Sequence, residues 1–505
     1  MTGLTYQVTV QNGITSYSTG IYDVKAYGAA ADGVTEDAGA IQAAINAAEL
    51  TGGQVYLPTG DYVVGTELVI DSANVTVSGS GHGTRLLTAN TATKYWIQIS
   101  AANVTLENFT MVGSITDTDT TFNAAIDVKS GGNTCTINKI LFTGASASAG
   151  YSSGIWGRAG ITDLKITECH AERIRGTASD YGYFTQIAGA TGGVMSDNTS
   201  VFAAATGRHH YYISAGTSGF VISNNTCRGG TSSAISVYAL AAQDPCKENV
   251  ISNNTIYDSG AATSGAITLS EQCQDNVVIG NTIRDATGFG IYLNNSLLDE
   301  NLGNVIANNI IVSPGDTGIY NLGGKEALIT GNKIKDVAAA AGISNAETGT
   351  STADNTMVIG NKIAGTTHTI GIICNGADLV VTGNRINTGT GKEIHNILQT
   401  NNTQVYDNFY DNDRVVTVTS TPHTALVGQD HILVDLASPF AVTIPAVLNY
   451  YGNKITVKDG GGHAGGSTIT ITTTAANIDG AATATITSAY GKVTIVSDGT
   501  NWFTV

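Results

Sequence analysis

The segment NVISNNTIYD, residues 249–258, returns as NVVIGNTIRD at residues 276–285, and this repeat decides the fold. Each copy is a short apolar strand that runs into an Asn turn. Copies of the pattern carry matching asparagines at Asn198, Asn225, Asn254, Asn281, Asn309, Asn332, Asn361 and Asn384. Successive asparagines are 23 to 29 residues apart, a length that suits one turn of a three-faced coil. The repeat therefore predicts stacked coils, because one coil alone cannot bury its apolar side chains.

A second strand recurs inside each period, as in AAIDVKS, GIWGRAG, YYISAGT and AISVYAL. Strand alternation turns its Ile-like residues inward and the residues between them outward. When the coils are aligned by the inward residue, one predicted outer column contains Asp127, Trp156, Tyr212, Ser236, Thr268 and Tyr292. The neighbouring column contains Lys129, Arg158, Ser214, Tyr238, Ser270 and Asn294. One face of the coils is therefore expected to form a long exposed ladder.

Composition supports an all-β chain and limits its partners. The 505 residues include 61 Gly, only 6 Pro and 12% charged residues, with many β-branched ones, which is typical of short strands joined by tight turns. A formal net charge of −17 argues against nucleic acid or an anionic membrane as the main partner. The six cysteines contain no CxxC pair, so buried thiols are expected. No signal segment and no transmembrane run is visible.

The segment from Tyr22 to Val64 predicts how the coils begin. It reads YDVKAYGAAADGVTEDAGAIQAAINAAELTGGQVYLPTGDYVV and contains an amphipathic helix with Ile41 and Ile45 on one face. This element resembles the opening of the pectate-lyase superfamily, whose β-helices occur in phage tailspikes, polygalacturonases and alginate epimerases. The resemblance implies a right-handed parallel β-helix and extends to about Asp411. It does not choose a reaction, because hydrolases, lyases, epimerases and adhesins share this fold.

Three parts are predicted along the chain. Residues 1–54 form an N-terminal segment with a capping helix, residues 55–413 form the β-helix that binds the substrate, and residues 414–505 form a small C-terminal β domain. The last part contains short strands such as FAVTIPA and KVTIVSD without the Asn turn. It resembles small β modules at the C-termini of phage tail fibre proteins, which implies capping, trimerisation or sugar binding.

The octapeptide GRHHYYIS, residues 207–214, concentrates groups suited to acid-base chemistry. Alternation predicts Arg208, His210 and Tyr212 on the outer face, with His209 on the opposite one. β-Elimination on a uronate needs a cation on the carboxylate, a base for the C5 proton and an acid for the leaving oxygen.

In the predicted catalytic set, Arg208 or Arg158 is the cation on the carboxylate. His210 is the base for the C5 proton, and Tyr212 is the acid for the leaving oxygen. The alternative is structural: of two adjacent histidines, one lies in the core and one at the surface, hydrogen-bonded to loops.

The substrate groove is expected to be lined by Trp156, Lys129, Asp127, Tyr181, Tyr183, Tyr238 and Tyr292. Trp156 offers an aromatic face on which sugars stack. From Thr121 to Gly230 eight basic residues exceed six acidic ones in an otherwise acidic chain, which indicates where a uronate binds.

The stretch SDYGYFTQ, residues 179–186, resembles the active-site strand of alginate epimerases and lyases. Thr185 and Gln186 stand where that family has an aspartate and a histidine, which argues against epimerase activity.

The sequence thus predicts a polysaccharide lyase that cleaves an acidic, uronate-containing polysaccharide, as a homotrimer outside the cell or on a virion tail. A glycoside hydrolase is the first alternative, because Asp127, Asp180, Glu168 and Glu271 lie near the site, although no Asp-Asp pair like that of polygalacturonases is present. A non-catalytic polysaccharide-binding adhesin is the second alternative. No cofactor is expected, and calcium stays open because the sequence has no clear calcium loop.

Overall fold

Parallel strands stack coil upon coil in the computed structural model, which describes residues 20–88, 94–114, 123–146, 148–175, 182–202, 207–240, 243–295, 301–338, 341–346, 353–365, 370–387, 392–396, 404–406, 408–410, 415–425, 429–444, 454–474, 476–498 and 500–505. The chain divides into two compact units, Met1–Gly288 and Phe289–Val505. This division lies inside the predicted β-helix, and the boundaries predicted at residues 54 and 413 stay predictions.

Each coil of the first unit contributes strands to three parallel sheets. The first sheet contains Gly20–Asp23, Gly53–Leu57, Val75–Gly79, Thr105–Glu107, Thr136–Asn138, Thr162–Thr167, Thr191–Ser196, Ser218–Ser223, Cys246–Lys247, Val250–Ser252, Cys273–Gln274 and Val277–Ile279. The second contains Asp32–Glu36, Gly60–Val64, Thr84–Thr88, Thr110–Gly113, Leu141–Gly144, His170–Glu172, Thr199–Val201, Thr226–Arg228, Thr255–Tyr257 and Thr282–Arg284. The third contains Leu68–Ile70, Lys94–Ile99, Asn123–Val128, Ser153–Gly157, Tyr183–Ala188, His209–Ser214, Ile235–Ala239 and Gly265–Glu271.

The core of the first unit consists of aliphatic columns that run from coil to coil. In the third sheet, for example, Ile97, Ile126 and Ile155 pair in register, and all three are buried. Each fully buried side chain of this kind contributes about 1.5–3 kcal/mol to folding. The columns therefore hold neighbouring coils together and leave the outward side chains available for function.

The N-terminal helix, Ala38–Glu49, packs against the strands Leu68–Ile70 and Gly20–Asp23. Its buried face includes Ile41 and Ile45, as the spacing predicts. The predicted capping helix is confirmed.

Buried asparagines form a ladder in each unit. In the first unit, Asn225 Oδ1 accepts the backbone N–H and the Nδ2–H of Asn198, both at 3.0 Å, and Asn254 does the same for Asn225. The residue before each ladder asparagine is left-handed, as at Asp197 with φ 59° and Asn224 with φ 57°. This conformation suits Asn, Asp and Gly, which explains the recurring DN, NN and GN pairs of the sequence.

The second unit begins with the same three-strand pattern. Its third strands are Phe289–Asn294, Ile319–Leu322, Ala341–Ala346, Ile370–Cys374 and Lys392–Asn396. Its first strands are Val305–Ala307, Leu328–Thr330, Met357–Ile359, Val380–Thr382 and Gln404–Tyr406. Its second strands are Ile310–Val312, Lys333–Lys335, Lys362–Ala364, Arg385–Asn387 and Phe409–Tyr410.

After residue 414 the strands form two other sheets. One contains Val415–Val418, His431–Val434, Lys454–Asp459, Lys492–Ser497 and Trp502–Thr504, and the other contains His423–Thr424, Phe440–Ile444, Ile469–Thr473 and Thr483–Ile486. They begin with parallel pairs and end with antiparallel ones, around a core that includes Ile432, Val442 and Trp502.

The predicted fold class, an all-β chain built on a right-handed parallel β-helix, is confirmed. Within the described ranges, no helix has both the length and the apolar character needed to span a membrane.

Candidate active site

The outer face of the third sheet in the first unit carries two columns of side chains. The register places Gln98, Asp127, Trp156, Gln186, Tyr212, Ser236 and Thr268 in one column. It places Ala188, Ser214, Tyr238 and Ser270 in the next, where Lys129 and Arg158 follow directly on strands of earlier coils. The sequence alignment of coils omitted Gln186, which lies between Trp156 and Tyr212.

Arg158 and Asp127 form a bidentate ion pair at one end of these columns. Arg158 Nε donates to Asp127 Oδ1 at 2.6 Å, and Nη2 donates to Oδ2 at 3.0 Å. The guanidinium carbon lies 4.4 Å from the ring centroid of Trp156 and 4.8 Å from that of Tyr95, within the range of cation–π attraction. The Asp127 side chain is buried, whereas 35% of the Arg158 side chain is exposed. The cluster therefore presents a partly exposed cation that contacts two aromatic rings.

Burial and neighbouring charges act on the Asp127 carboxylate and bring a second cation to the cluster. Burial raises the pKa of Asp127, and the hydrogen bonds and charge of Arg158 oppose that rise. Lys129 Nζ donates to Gln98 Oε1, which holds a second cation beside the first. Because both oxygens of Asp127 bind Arg158, this carboxylate supports the cation and does not face a substrate as a lone acid.

The strand that begins at His209 is irregular, and this overturns one prediction. The N–H groups of His210 and Tyr211 both donate to the carbonyl oxygen of Ala234, at 3.0 and 2.9 Å. Two successive residues thus share one acceptor, as at a β-bulge, and strand alternation shifts by one residue. His209 is therefore on the outer side with Tyr212, while His210 and Tyr211 both turn inward. The prediction that His210 faces outward is wrong.

His210 is a satisfied core residue. Its Nε2 lies 3.1 Å from the carbonyl oxygen of Gly229, and its Nδ1 lies 2.5 Å from Ser200 Oγ. A carbonyl only accepts, so Nε2 carries the proton and Nδ1 accepts from the serine hydroxyl. The ring stacks on Phe202 at 4.0 Å between centroids, and burial lowers its pKa to about 4. Neither ring nitrogen of His210 is available to a substrate, so the structure contradicts its predicted role as base.

His209, Tyr183 and Tyr212 form a triangle of nearly parallel rings on the outer side. The centroids are 5.7 Å apart for Tyr183 and His209, 5.2 Å for Tyr183 and Tyr212, and 5.3 Å for His209 and Tyr212. Such offset stacking is favourable and fixes each ring. Arg208 Nη1 donates to the Tyr183 hydroxyl at 3.3 Å, which brings a guanidinium to the edge of the triangle.

The protonation state of His209 follows from its hydrogen bond. Its Nδ1 lies 2.7 Å from the carbonyl oxygen of Ser233, so Nδ1 carries the proton and Nε2 holds the lone pair. Burial lowers the pKa of His209 to about 3, and the charge of Arg208 adds to this effect. No hydrogen bond to Nε2 comes from any residue that the structure describes. His209 is therefore a neutral imidazole with one nitrogen able to accept a proton.

The other predicted groove residues are dispersed. Tyr238 is half-buried in the same column as Ser214, and burial raises its pKa. Tyr292 belongs to the second unit, where its ring stacks on Tyr320 at 5.3 Å. Tyr181 lies outside the described residues. In the described part of the chain, no three His, Cys, Asp or Glu side chains are grouped as a metal site requires.

Besides Gln186, three residues of this site were not predicted from the sequence as part of it. His209 was placed on the wrong face, and Tyr95 and Gln98 lie in a coil whose strand, KYWIQI, has none of the Gly-Ile or Ala-Ile signature of later coils. The first cluster provides two basic side chains, Lys129 and Arg158. The second cluster provides an arginine, a neutral histidine and two tyrosines, which are Arg208, His209, Tyr183 and Tyr212. That set suits proton removal from a carbon next to a carboxylate.

Curated relatives are similar to part of this chain. Mannuronan C5-epimerase AlgE1 of Azotobacter vinelandii is 30% identical over 230 residues, which are 41% of this chain and 15% of that protein. Alginate lyase 7 of the same organism is 49% identical over 69 residues, which are 12% of this chain and 8% of that protein. The chain thus spans only a small part of the length of these relatives.

Solved structures share the fold. The A-module of Azotobacter vinelandii mannuronan C-5 epimerase AlgE6 superimposes with a TM-score of 0.53 at 20% identity, covering 77% of this chain and 99% of that one. Tailspike protein 3 of bacteriophage CBA120 superimposes with a TM-score of 0.55 at 11% identity, covering 80% of this chain and 63% of that one.

A family model described as rhamnogalacturonase A/epimerase, pectate lyase-like, matches residues 21–292. The matched segment is more than half of the chain and contains both clusters of the candidate site. The chain therefore belongs to the rhamnogalacturonase A/epimerase family of pectate-lyase-like proteins.

Proposed function

We propose that the chain removes the C5 proton from uronate residues of an acidic polysaccharide and cleaves the polymer by β-elimination. One observation carries this proposal: the neutral imidazole of His209 is held by Ser233 through Nδ1 and keeps Nε2 as a proton acceptor on the outer face. A general base must be unprotonated at the working pH, and the buried His209 imidazole is neutral there. Because a base is most effective when its pKa is close to the working pH, the support for this role comes from the position of Nε2 and not from the low pKa.

Arg208 supplies the positive charge that acidifies C5. Its Nη1 donates to the Tyr183 hydroxyl at 3.3 Å and its charge acts on His209, so its guanidinium lies at the point where the proton is removed. A cation on the substrate carboxylate stabilises the carbanion-like charge that develops as the proton leaves. Arg208 therefore takes the role that the sequence divided between Arg208 and Arg158.

Tyr212 is the proposed acid for the leaving oxygen. Burial raises its pKa, so the hydroxyl keeps its proton at neutral pH and has one to give. In the proposed step the C5–H bond breaks and its proton passes to His209 Nε2. The C4–O bond also breaks, a C4=C5 double bond forms, and the leaving oxygen takes the Tyr212 proton.

The Arg158 cluster is proposed to bind neighbouring sugars of the same polymer. Trp156 and Tyr212 lie two coils apart in one column, a distance of about 10 Å at the usual spacing of strands. An extended polysaccharide along the column would then stack one sugar on Trp156 and place its carboxylate beside Lys129 and Arg158. Tyr183 and Tyr238 border this path, and Tyr181 and Tyr292 stay predicted contacts.

C5 epimerisation is a second candidate, because it begins with the same proton removal and the curated relative AlgE1 is named a mannuronan C5-epimerase. It differs in its second step, in which a proton returns to the opposite face of C5. Hydrolysis has less support, since Asp127 is the one carboxylate among the described members of the two columns and it is bound to Arg158.

The test is to incubate the chain with polyuronates and with neutral polysaccharides. β-Elimination predicts new chain ends with the ultraviolet absorbance of an unsaturated uronate. Epimerisation in heavy water predicts deuterium at C5 without new ends. New reducing ends without the absorbance would overturn the proposal in favour of a hydrolase, and binding without turnover would favour an adhesin.

We further propose that the chain works outside the cell or on a virion tail, as a homotrimer. The resemblance of its C-terminal strands to phage tail fibre modules supports this. Light scattering on the purified chain checks it: a monomer mass at micromolar concentration would contradict the trimer.

A further inference from the structure

The second strands of the second unit carry a column of cations, defined here as Lys333, Lys362 and Arg385. Lys333 pairs in register with Lys362, and Lys362 pairs in register with Arg385. All three residues are exposed, while the next residue on each strand is a buried isoleucine. The three positive charges therefore lie on one outer face, one per coil.

This arrangement of like charges is unfavourable by itself. Adjacent strands are about 4.8 Å apart, and like charges directly opposite each other repel. Elsewhere the chain places opposite charges together: Asp61 pairs in register with Arg85, and their side chains lie 3.1 Å apart. In the cation column, neither Lys333 nor Lys362 forms an ion pair with any described residue.

We propose that the cation column is a second binding surface for an acidic polysaccharide, separate from the candidate active site. A polyanion laid along the column would meet one cation per coil, at a spacing close to the length of one sugar unit. Its charges would offset the repulsion between the cations. In a chain of net charge −17, such a local column also lets a polyanion approach that the remaining surface repels.

The column and the candidate active site belong to different strands of the coil. The active-site side chains lie on third strands of the first unit, and the column lies on second strands of the second unit. The column can therefore retain polymer without taking part in chemistry, and its test does not depend on turnover.

The experiment compares two triple variants of the full chain. One is Lys333→Gln, Lys362→Gln and Arg385→Gln. The matched control is Lys25→Gln, Lys247→Gln and Lys454→Gln, which removes the same charge at exposed positions that do not pair with one another or with another cation. Both carry His209→Gln, so that the polymer stays intact. Affinity for immobilised polygalacturonate is measured from low to moderate salt.

The column variant should bind on the order of tenfold more weakly than the control, with a shallower dependence on salt, because fewer counterions are released. Equal binding by the two variants, both with unchanged melting temperatures, would overturn the proposal. The proposal would also be overturned if the column variant lost binding to single-stranded DNA but kept its affinity for polygalacturonate, because the column would then bind a different polyanion. Absence of turnover on every polysaccharide would remove the proposed function and leave this binding result unaffected.

Discussion

His209 and His210 are neighbours in sequence, yet their rings lie on opposite sides of one strand. The ring of His209 is 5.3 Å from that of Tyr212 on the outer side, and the ring of His210 is 4.0 Å from that of Phe202 in the core. The two residues therefore have separable roles, because one has a ring nitrogen open to chemistry and the other has both nitrogens bonded inside the coil.

Replacing His209 with glutamine should abolish most turnover. Glutamine is similar in size but cannot accept a proton, and a general base typically contributes a factor of about 10² to 10⁴ in rate. We expect kcat to fall by this factor on a polyuronate, with little change in KM. Full activity in a variant with an unchanged melting temperature would remove His209 from the mechanism.

Replacing His210 with alanine should lower stability instead. The change removes the ring that stacks on Phe202 and leaves the Ser200 hydroxyl without its acceptor. The expected loss is about 2–4 kcal/mol in the free energy of unfolding, measured by urea denaturation. At a temperature where the variant is folded, kcat should stay within a few-fold of the parent. A collapse of kcat in folded His210→Ala protein would count against the core role.

Both histidines should make the fold sensitive to acid. Their pKa values in the folded chain, about 3 for His209 and about 4 for His210, are below the usual value of 6.5. The unfolded chain therefore takes up protons first, so their contribution is complete above pH 6.5 and is lost as the pH falls toward 4. The loss is on the order of 1 kcal/mol per histidine per pH unit. In His209→Gln, unfolding free energies at pH 7 and pH 5 should differ less than in the parent, and an identical difference would contradict the assignment.

Much of the fold follows from the sequence because its constraints recur in each coil. A ladder asparagine can bond to the next only if every coil turns at the same place, as Asn198, Asn225 and Asn254 do. The residue before it must tolerate a positive φ, which keeps Asn, Asp or Gly there. Repetition makes such a signal visible in a single sequence.

The site was harder to predict because the third strands do not alternate strictly. They turn two consecutive residues inward, as at Ala125 and Ile126 or Ala234 and Ile235, all of which are buried. In the strand of His209 the second inward residue is Tyr211. Strict alternation from Tyr211 places Tyr212 on the correct face and His209 on the wrong one. The small residue that recurs before the inward isoleucine was the sequence signal for this second inward position. In the strand of His209, His210 takes the place of that small residue.

Replacing Trp156 with alanine should weaken substrate binding more than chemistry. Trp156 lies two coils from Tyr212 and contacts the Arg158 guanidinium, so it is placed to stack a neighbouring sugar. We expect KM to rise about tenfold, which corresponds to about 1.4 kcal/mol of lost binding, with kcat within a few-fold. The exposed control is Val201→Ala on the second sheet, away from this column, which should leave KM unchanged. An unaltered KM in Trp156→Ala would exclude the stacking role.

Replacing Asp127 with asparagine tests whether its carboxylate supports Arg158 or acts on substrate. The substitution keeps the volume and removes the charge that holds the guanidinium over Trp156. Since Arg158 is partly exposed, the loss should be about 1–3 kcal/mol of stability, below the cost of breaking a fully buried pair. In a double-mutant cycle, Arg158→Gln should lower the free energy of unfolding much less in the Asp127→Asn background than in the parent. KM should rise in both single variants. Additive losses, or a kcat effect of Asp127→Asn as large as that of His209→Gln, would instead make Asp127 a catalytic acid and revive hydrolysis.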